Sequence, residues 1–134
     1  MIPTSLAGLP AFAGYYAAAM VLTMVFVAAY TAITPFHEIA LIRSGNSAAA
    51  IQIGMGLIGF SIPLASAIYH SANLIDCVVW GIVALLTQLI AYGLARLTVP
   101  KLDDDIAKAN VAPAIWLGFI SIASGIISAA CMSY

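Results

Sequence analysis

The sequence predicts an all-α membrane protein: a single membrane domain, residues 1–134, with four transmembrane helices. Apolar residues make up 64% of the chain and charged residues only 7%, and the mean hydropathy is +1.12. A soluble domain of this length could not bury so much apolar surface. The charged residues also leave four charge-free stretches, 1–37, 44–75, 77–95 and 109–134. Each can contain about 20 residues, enough to cross a hydrocarbon core of about 30 Å.

The first half of the chain contains two predicted transmembrane helices, joined by a short helix at the membrane surface. Thr34 can cap this short helix and Pro35 suits its first position, whereas Gly45-Asn46 is typical of a helix end. Pro63 should kink the second transmembrane helix. A neighbouring helix must then satisfy the carbonyl that loses its N–H partner.

The second half predicts the same arrangement. Asp76 and Arg96 lie 20 residues apart in the third helix, which at 1.5 Å per residue is about 30 Å. Each charge can therefore lie at a membrane interface. Pro100 ends this helix, and Asp103 to Asp105 suit the start of a second surface helix. The predicted transmembrane helices span about residues 9–33, 47–69, 75–99 and 111–132.

The two halves resemble each other at an offset of 64 residues. Eight positions between residues 46 and 65 are identical in this comparison, among them Asn46 with Asn110 and Gly54 with Gly118. We therefore predict a tandem duplication whose copies are parallel, because each copy crosses the membrane twice. The predicted repeats span about residues 9–70 and 75–134.

The orientation follows from the positive charges. Arg43 lies in the first surface connection, and Arg96, Lys101 and Lys108 lie around the second. The turn at residues 70–75 and both tails contain no Lys or Arg. The positive-inside rule therefore predicts that both connections are cytoplasmic and that both termini lie outside.

Gln88 is the most informative polar residue in the predicted spans, because an unpaired amide in the middle of a membrane is costly. It can donate an interhelical hydrogen bond, with Thr23 or Thr87 as partner, and such bonds are common in membrane bundles. Alternatively, it lines a polar path for an ion or solute, which Gln52 would extend towards the cytoplasm.

Small residues in the second and fourth helices predict close helix packing. Gly54, Gly56 and Gly59 match the spacing of a dinucleotide-binding loop, but they lie within a membrane helix and follow no strand. Glycines in membrane helices let neighbouring backbones approach. The same prediction applies to Gly118, Ser121 and Gly125.

Other functions find little support in the sequence. The net charge is −1 and there is no basic patch, which excludes nucleic acid as a partner. His70, Ser71 and Asp76 lack any motif of a hydrolase, so we expect no enzymatic activity, metal or cofactor. Cys77 and Cys131 either pair at the outer face or remain small buried side chains.

The chain also resembles a known family. The resemblance rests on Thr34-Pro35, Gly45-Asn46, Ile62-Pro63-Leu64, Trp80-Gly81, Gln88-Leu89 and the ending Ala129-Ala130-Cys131-Met132. On these residues it is similar to the YjfL-like family of small bacterial inner-membrane proteins, whose domain has no assigned function. The resemblance implies a four-helix protein of the bacterial inner membrane and supplies no activity.

We expect a non-enzymatic envelope component that contacts membrane lipid and acts as a homo-oligomer or through other envelope proteins. The alternative is a minimal channel or transporter with a path past Gln88 and Gln52. Proton-coupled antiport would lack its usual carrier, because the predicted helices contain no Asp or Glu in their central parts.

Overall fold

A computed structural model describes residues 6–33, 38–99 and 102–132. These ranges contain helices and turns and no strand, which confirms the all-α class. Four of the helices found there are long and apolar enough to cross a membrane. The predicted features at Thr34-Pro35 and Pro100 lie outside the described residues. The helices are α1 (Leu9–Ile33), α2 (Glu38–Arg43), α3 (Ser47–His70), α4 (Leu74–Thr98), α5 (Leu102–Ala107) and α6 (Val111–Cys131).

Asparagine side chains cap the N-termini of two of the long helices. Oδ1 of Asn46 accepts a hydrogen bond from the Ala49 N–H at 3.0 Å, and Oδ1 of Asn73 accepts one from the Asp76 N–H at 2.8 Å. These bonds satisfy amide groups that have no partner within the helix. Asn110 precedes α6 in the same way but makes no capping hydrogen bond with its side chain.

The short helices α2 and α5 end in the same hydrogen-bonded turn. Gly45 and Ala109 have positive φ angles of 92° and 62°, as the residue after a helix has in a Schellman motif. Corresponding bonds in the two turns differ by 64 residues in both donor and acceptor. They run from Gly45 N to Ile42 O, Ala109 N to Ile106 O, Asn46 N to Leu41 O and Asn110 N to Asp105 O, at 2.8 to 3.0 Å.

The helices α3 and α6 pack side by side in the same direction. Met55 lies against Gly118 near the start of both helices and Gly59 against Gly125 further along. The Ser66 hydroxyl donates to the Ala129 carbonyl at 3.2 Å near their ends. The helix α4 runs antiparallel to α6, because Nε1 of Trp116 donates to Oγ1 of Thr98 at 2.9 Å while Thr87 lies opposite Ser128.

The helix α1 lies at the periphery. Its buried residues are Leu22, Phe26 and Tyr30, which are four residues apart and therefore form one narrow stripe. The Phe26 ring stacks on Phe60 of α3 with centroids 4.7 Å apart, and Tyr30 meets the edge of Tyr92 of α4 at 5.4 Å. Only three of the 25 residues of α1 are buried, compared with ten of the 24 residues of α3.

The two short helices lie at one end of the bundle, here called the connection end. Nδ2 of Asn46 donates to the Ile106 carbonyl at 3.0 Å and lies 3.4 Å from the Ala107 carbonyl. This contact ties the start of α3 to the end of α5. The opposite end is formed by the turn between His70 and Leu74 and is called the hairpin end.

Candidate functional site in the bundle interior

The backbones of α3 and α6 are in close contact at Gly59 and Gly125. A methyl group on Gly125 would overlap the Gly59 carbonyl, and one on Gly59 would overlap the Ser121 carbonyl. Only glycine allows contact this close. The crossing therefore leaves no opening between α3 and α6 at this level.

Gln88 of α4 holds this crossing with its amide nitrogen. Nε2 donates to the Gly59 carbonyl at 3.1 Å and to the Ser121 carbonyl at 3.1 Å. Its partners are thus backbone carbonyls of α3 and α6, rather than the Thr23 or Thr87 hydroxyl considered from the sequence. The side chain is 1% exposed, so these bonds lie away from solvent.

Pro63 explains why one of these carbonyls needs a donor. In a regular helix the Gly59 carbonyl would accept from the N–H of residue 63, but proline has no N–H. Pro63 lies inside α3 and is buried. The Gln88 amide therefore supplies the hydrogen bond that Pro63 removes. The sequence predicted that a neighbouring helix would have to supply it.

Three further polar groups in this region are buried and make no hydrogen bond within the structure. They are Oε1 of Gln88, Oγ of Ser121 and both amide atoms of Gln52. Gln52 is 0% exposed and lies seven residues before Gly59, about 10 Å along α3 towards the connection end. An unpaired buried amide is costly, so Gln52 is the strongest indication of a polar function in the bundle.

The two threonines bond to their own helices. Oγ1 of Thr23 donates to the Ala19 carbonyl at 2.8 Å, and Oγ1 of Thr87 donates to the Ala84 carbonyl at 2.8 Å. Thr87 also lies 3.4 Å from Oγ of Ser128. The structure therefore does not join Thr23, Thr87, Gln88 and Gln52 through hydrogen bonds with one another.

The remaining small residues differ in their surroundings. A methyl group on Gly118 would overlap the Met55 side chain, whereas one on Gly56 would make ordinary contacts of 3.8 and 4.0 Å with Phe26 and Tyr30. A methyl group on Gly54 would meet nothing within 4 Å. In this structure Gly54 therefore does not lie at a close helix contact.

Polar residues at the hairpin end make hydrogen bonds in the turn between α3 and α4 and beside it. The Asp76 carboxylate accepts from the Ala72 N–H at 3.3 Å, and Nδ1 of His70 lies 3.0 Å from the Ser66 carbonyl of its own helix. Cys77 is buried, Cys131 is exposed, and the two form no disulfide. Within the described ranges, no three His, Cys, Asp or Glu side chains gather in a way that could hold a metal.

Sequence reasoning missed two features of this site. The acceptors of Gln88 could have been found from Pro63, because the residue four positions earlier, Gly59, must present a free carbonyl. The bond between Trp116 and Thr98 had no signal in the sequence, since it depends on how α4 and α6 align.

Together, the apolar helices and the buried polar contacts between them define a multi-pass helical membrane protein. The profile of the family described as Domain of Unknown Function (DUF350) matches residues 4–132. The chain belongs to this family.

Two relatives agree with this assignment. The UPF0719 inner membrane protein YjfL of Escherichia coli strain K12 is 35% identical over 124 residues, which cover 92% of this chain and 94% of the relative. The UPF0719 transmembrane protein YshE of Bacillus subtilis strain 168 is 27% identical over 111 residues, covering 81% of this chain and 80% of the relative. No solved structure shows significant similarity to the chain.

Proposed function

We propose that this protein is a non-enzymatic component of the bacterial inner membrane that acts by assembling with copies of itself. The observation that carries the proposal is the hydrogen bonding of the Gln88 side chain. Its amide holds the α3–α6 crossing, where glycine contacts leave no room for a path. The central polar group of the bundle thus serves helix packing, which favours a structural role over transport.

The surface of α1 supports assembly. Its first half, from Leu9 to Val21, contains no buried residue, and Phe12 and Tyr16 stack on each other there with centroids 5.7 Å apart. Because α1 contacts the rest of the bundle through one narrow stripe of residues, most of its surface is free to contact another helix. Contacts between membrane helices are driven by packing of this kind.

We also propose that the bundle is a duplicated unit of helix, surface helix and helix. The matching turns after α2 and α5 and the parallel course of α3 and α6 support a rotation about the membrane normal. In this arrangement the connection end is cytoplasmic and both termini are periplasmic, because Arg43 belongs to the first connection and Arg96, Lys101 and Lys108 lie in or beside the second. The short helices would then lie at the cytoplasmic surface.

Cross-linking tests the assembly. In a background with Cys77→Ala and Cys131→Ala, a single Met24→Cys on exposed α1 is compared with Ile58→Cys on an exposed face of α3. We expect disulfide-linked dimers of the first variant in membranes and few of the second, together with an oligomeric mass in native mass spectrometry. A monomeric mass with no cross-link from α1 would contradict the proposal.

A minimal channel remains the second candidate, and Gln52 is the observation in its favour. A fully buried amide with neither atom bonded would be explained if it met water or a solute in a conducting state. Ion flux into liposomes should then fall in Gln52→Leu, with Gln88→Leu and the wild type measured alongside. Flux absent from well-folded wild-type protein would contradict this alternative.

A further inference from the structure

The two halves of the chain meet through α3 and α6, and the contact between these helices is one-sided. Residues at an offset of 64 correspond, so Met55 of α3 corresponds to Phe119 of α6. Met55 packs on Gly118, where a methyl group would lie 2.8 Å from Cβ of Met55. The reverse pair, Phe119 with Gly54, forms no such contact within the molecule, because a methyl group on Gly54 would meet nothing within 4 Å. Phe119 is 57% exposed, so this second pair of positions is unused.

The glycine crossing is one-sided in the same way. A methyl group on Gly125 would overlap the Gly59 carbonyl. The corresponding residues are Ser61 and Ala123, and both are exposed. If a half-turn related the two halves, every contact would occur twice within the molecule. The contact between α3 and α6 is therefore heterologous, because each helix uses a different surface.

The turns at the connection end show the same asymmetry. Asn46 is 8% exposed, and its Nδ2 donates to the Ile106 carbonyl of α5. Asn110, which corresponds to Asn46, is exposed. The carbonyl that corresponds to the Ile106 carbonyl belongs to Ile42 of α2. An Ile42 carbonyl from a neighbouring molecule would give Asn110 the bond that Asn46 makes inside the bundle.

Each molecule therefore presents one unused surface of each kind. On α6 this surface contains Phe119 and Ala123, which correspond to the α3 residues that pack on α6. On α3 it contains Gly54 and Ser61, which correspond to the small residues of α6 that receive them. Small side chains let the backbones of membrane helices approach closely, so the α3 surface can receive α6 of another molecule.

The internal contact indicates which partner fits these surfaces. Eight positions between residues 46 and 65 are identical to their counterparts in α6 and the turn before it, and the turns before α3 and α6 contain matching hydrogen bonds. We propose that a second copy of this chain binds here, with α6 of one copy packed in parallel on α3 of the next. This inference rests on the self-assembly proposed above and names the surfaces that carry it.

A contact of this kind joins copies head to tail. Because α3 and α6 run in the same direction, all copies keep one orientation in the membrane. Each added copy presents a further α6 surface to the next, so the assembly grows beyond a dimer until its rotation closes a ring.

Paired cysteines test the head-to-tail contact. In a background with Cys77→Ala and Cys131→Ala, Gly54→Cys and Phe119→Cys are combined in one chain. The corresponding positions within the molecule lie 2.8 Å apart at Cβ, closer than the about 3.5 to 4.5 Å of a disulfide, so the bond is within reach. We expect a ladder of dimers, trimers and larger species on a non-reducing gel of membranes, because each chain carries both halves of the link.

Matched variants separate this contact from others. Gly54→Cys or Phe119→Cys alone should stay monomeric on the gel, whereas membranes that contain both single variants should give dimers only. Phe119→Cys with Ile90→Cys, at an exposed position of α4, should give no ladder. Ser61→Cys with Ala123→Cys, the counterpart of the glycine crossing, should give the same ladder as the first pair, and it provides the test if the first pair does not fold.

The outcomes distinguish this contact from self-assembly itself. No ladder from either pair, together with an oligomeric mass in native mass spectrometry, would overturn the head-to-tail contact and leave self-assembly standing. Dimers from a single variant would also overturn it, because they would place the same residue of two copies together. A monomeric mass and no cross-link from any variant would contradict both proposals.

Discussion

The Gln88 side chain completes the hydrogen bonding of Gly59, a residue on a different helix. The Gly59 carbonyl has no donor within α3, because residue 63 is proline. Nε2 of Gln88 reaches it from α4 and also reaches Ser121 on α6. One amide thereby joins three helices at a point where the backbones of α3 and α6 are in close contact.

Loss of this amide should weaken the bundle. Gln88→Met keeps the length of the side chain but removes both donors, so we expect the free energy of unfolding to fall by about 1 kcal/mol, the size typical of interhelical bonds. Thermal unfolding in detergent measures it. Leu86→Met, at an exposed position on the same helix, is the control and should change little. A Gln88→Met protein as stable as the control would contradict the role of the amide.

The dependence of Gln88 on Pro63 predicts coupling between the two residues. Pro63→Ala restores an N–H that can bond the Gly59 carbonyl within α3. The Gln88→Met change should therefore cost less in the Pro63→Ala background than in the wild type. A double-mutant cycle on unfolding free energies measures the coupling. Additive effects would show that Gln88 does not replace the bond that Pro63 removes.

The glycines of the bundle should differ sharply in their tolerance of alanine. Gly125→Ala places a methyl group on the Gly59 carbonyl and should destabilise the protein by about 1 to 3 kcal/mol, as overpacking does. Gly54→Ala meets no atom within 4 Å and should be neutral or stabilising, because alanine favours helix by up to about 1 kcal/mol. Melting temperatures of the two variants provide the comparison, and similar values would contradict the close crossing.

The unpaired amide of Gln52 predicts a gain in stability. Gln52→Met has nearly the same shape and removes two buried polar atoms that have no hydrogen bond, so the free energy of unfolding should rise by about 1 kcal/mol or more. Unfolding in detergent tests this. A decrease would mean that Gln52 has a partner in the membrane, such as bound water, and would strengthen the channel alternative.

The two asparagines at the connection end should contribute unequally. Asn46 caps α3 and also donates to α5, whereas Asn110 makes no capping bond with its side chain. Asn46→Ala should therefore cost about 1 to 2 kcal/mol, and Asn110→Ala much less. Equal losses in thermal stability would show that the contact with α5 contributes nothing.

The four long helices could be predicted from the sequence because hydrocarbon imposes a length and a composition on each segment. Thus the charges at Asp76 and Arg96 predicted a helix between them, and α4 runs from Leu74 to Thr98. Asn46 and Gly45 marked a turn through local backbone chemistry, which depends on neighbouring residues alone. Even the need for an external donor near Pro63 followed from the missing N–H.

Contacts between helices were decided by the tertiary structure. The sequence showed that Gln88 needed partners in an apolar core, but any of several nearby groups could have served. The rotation and alignment of α4 against α3 and α6 selected the carbonyls of Gly59 and Ser121. The same alignment left Gln52 without a hydrogen-bond partner. Hydropathy is nearly uniform around each helix in a membrane, so it does not specify which face meets which neighbour.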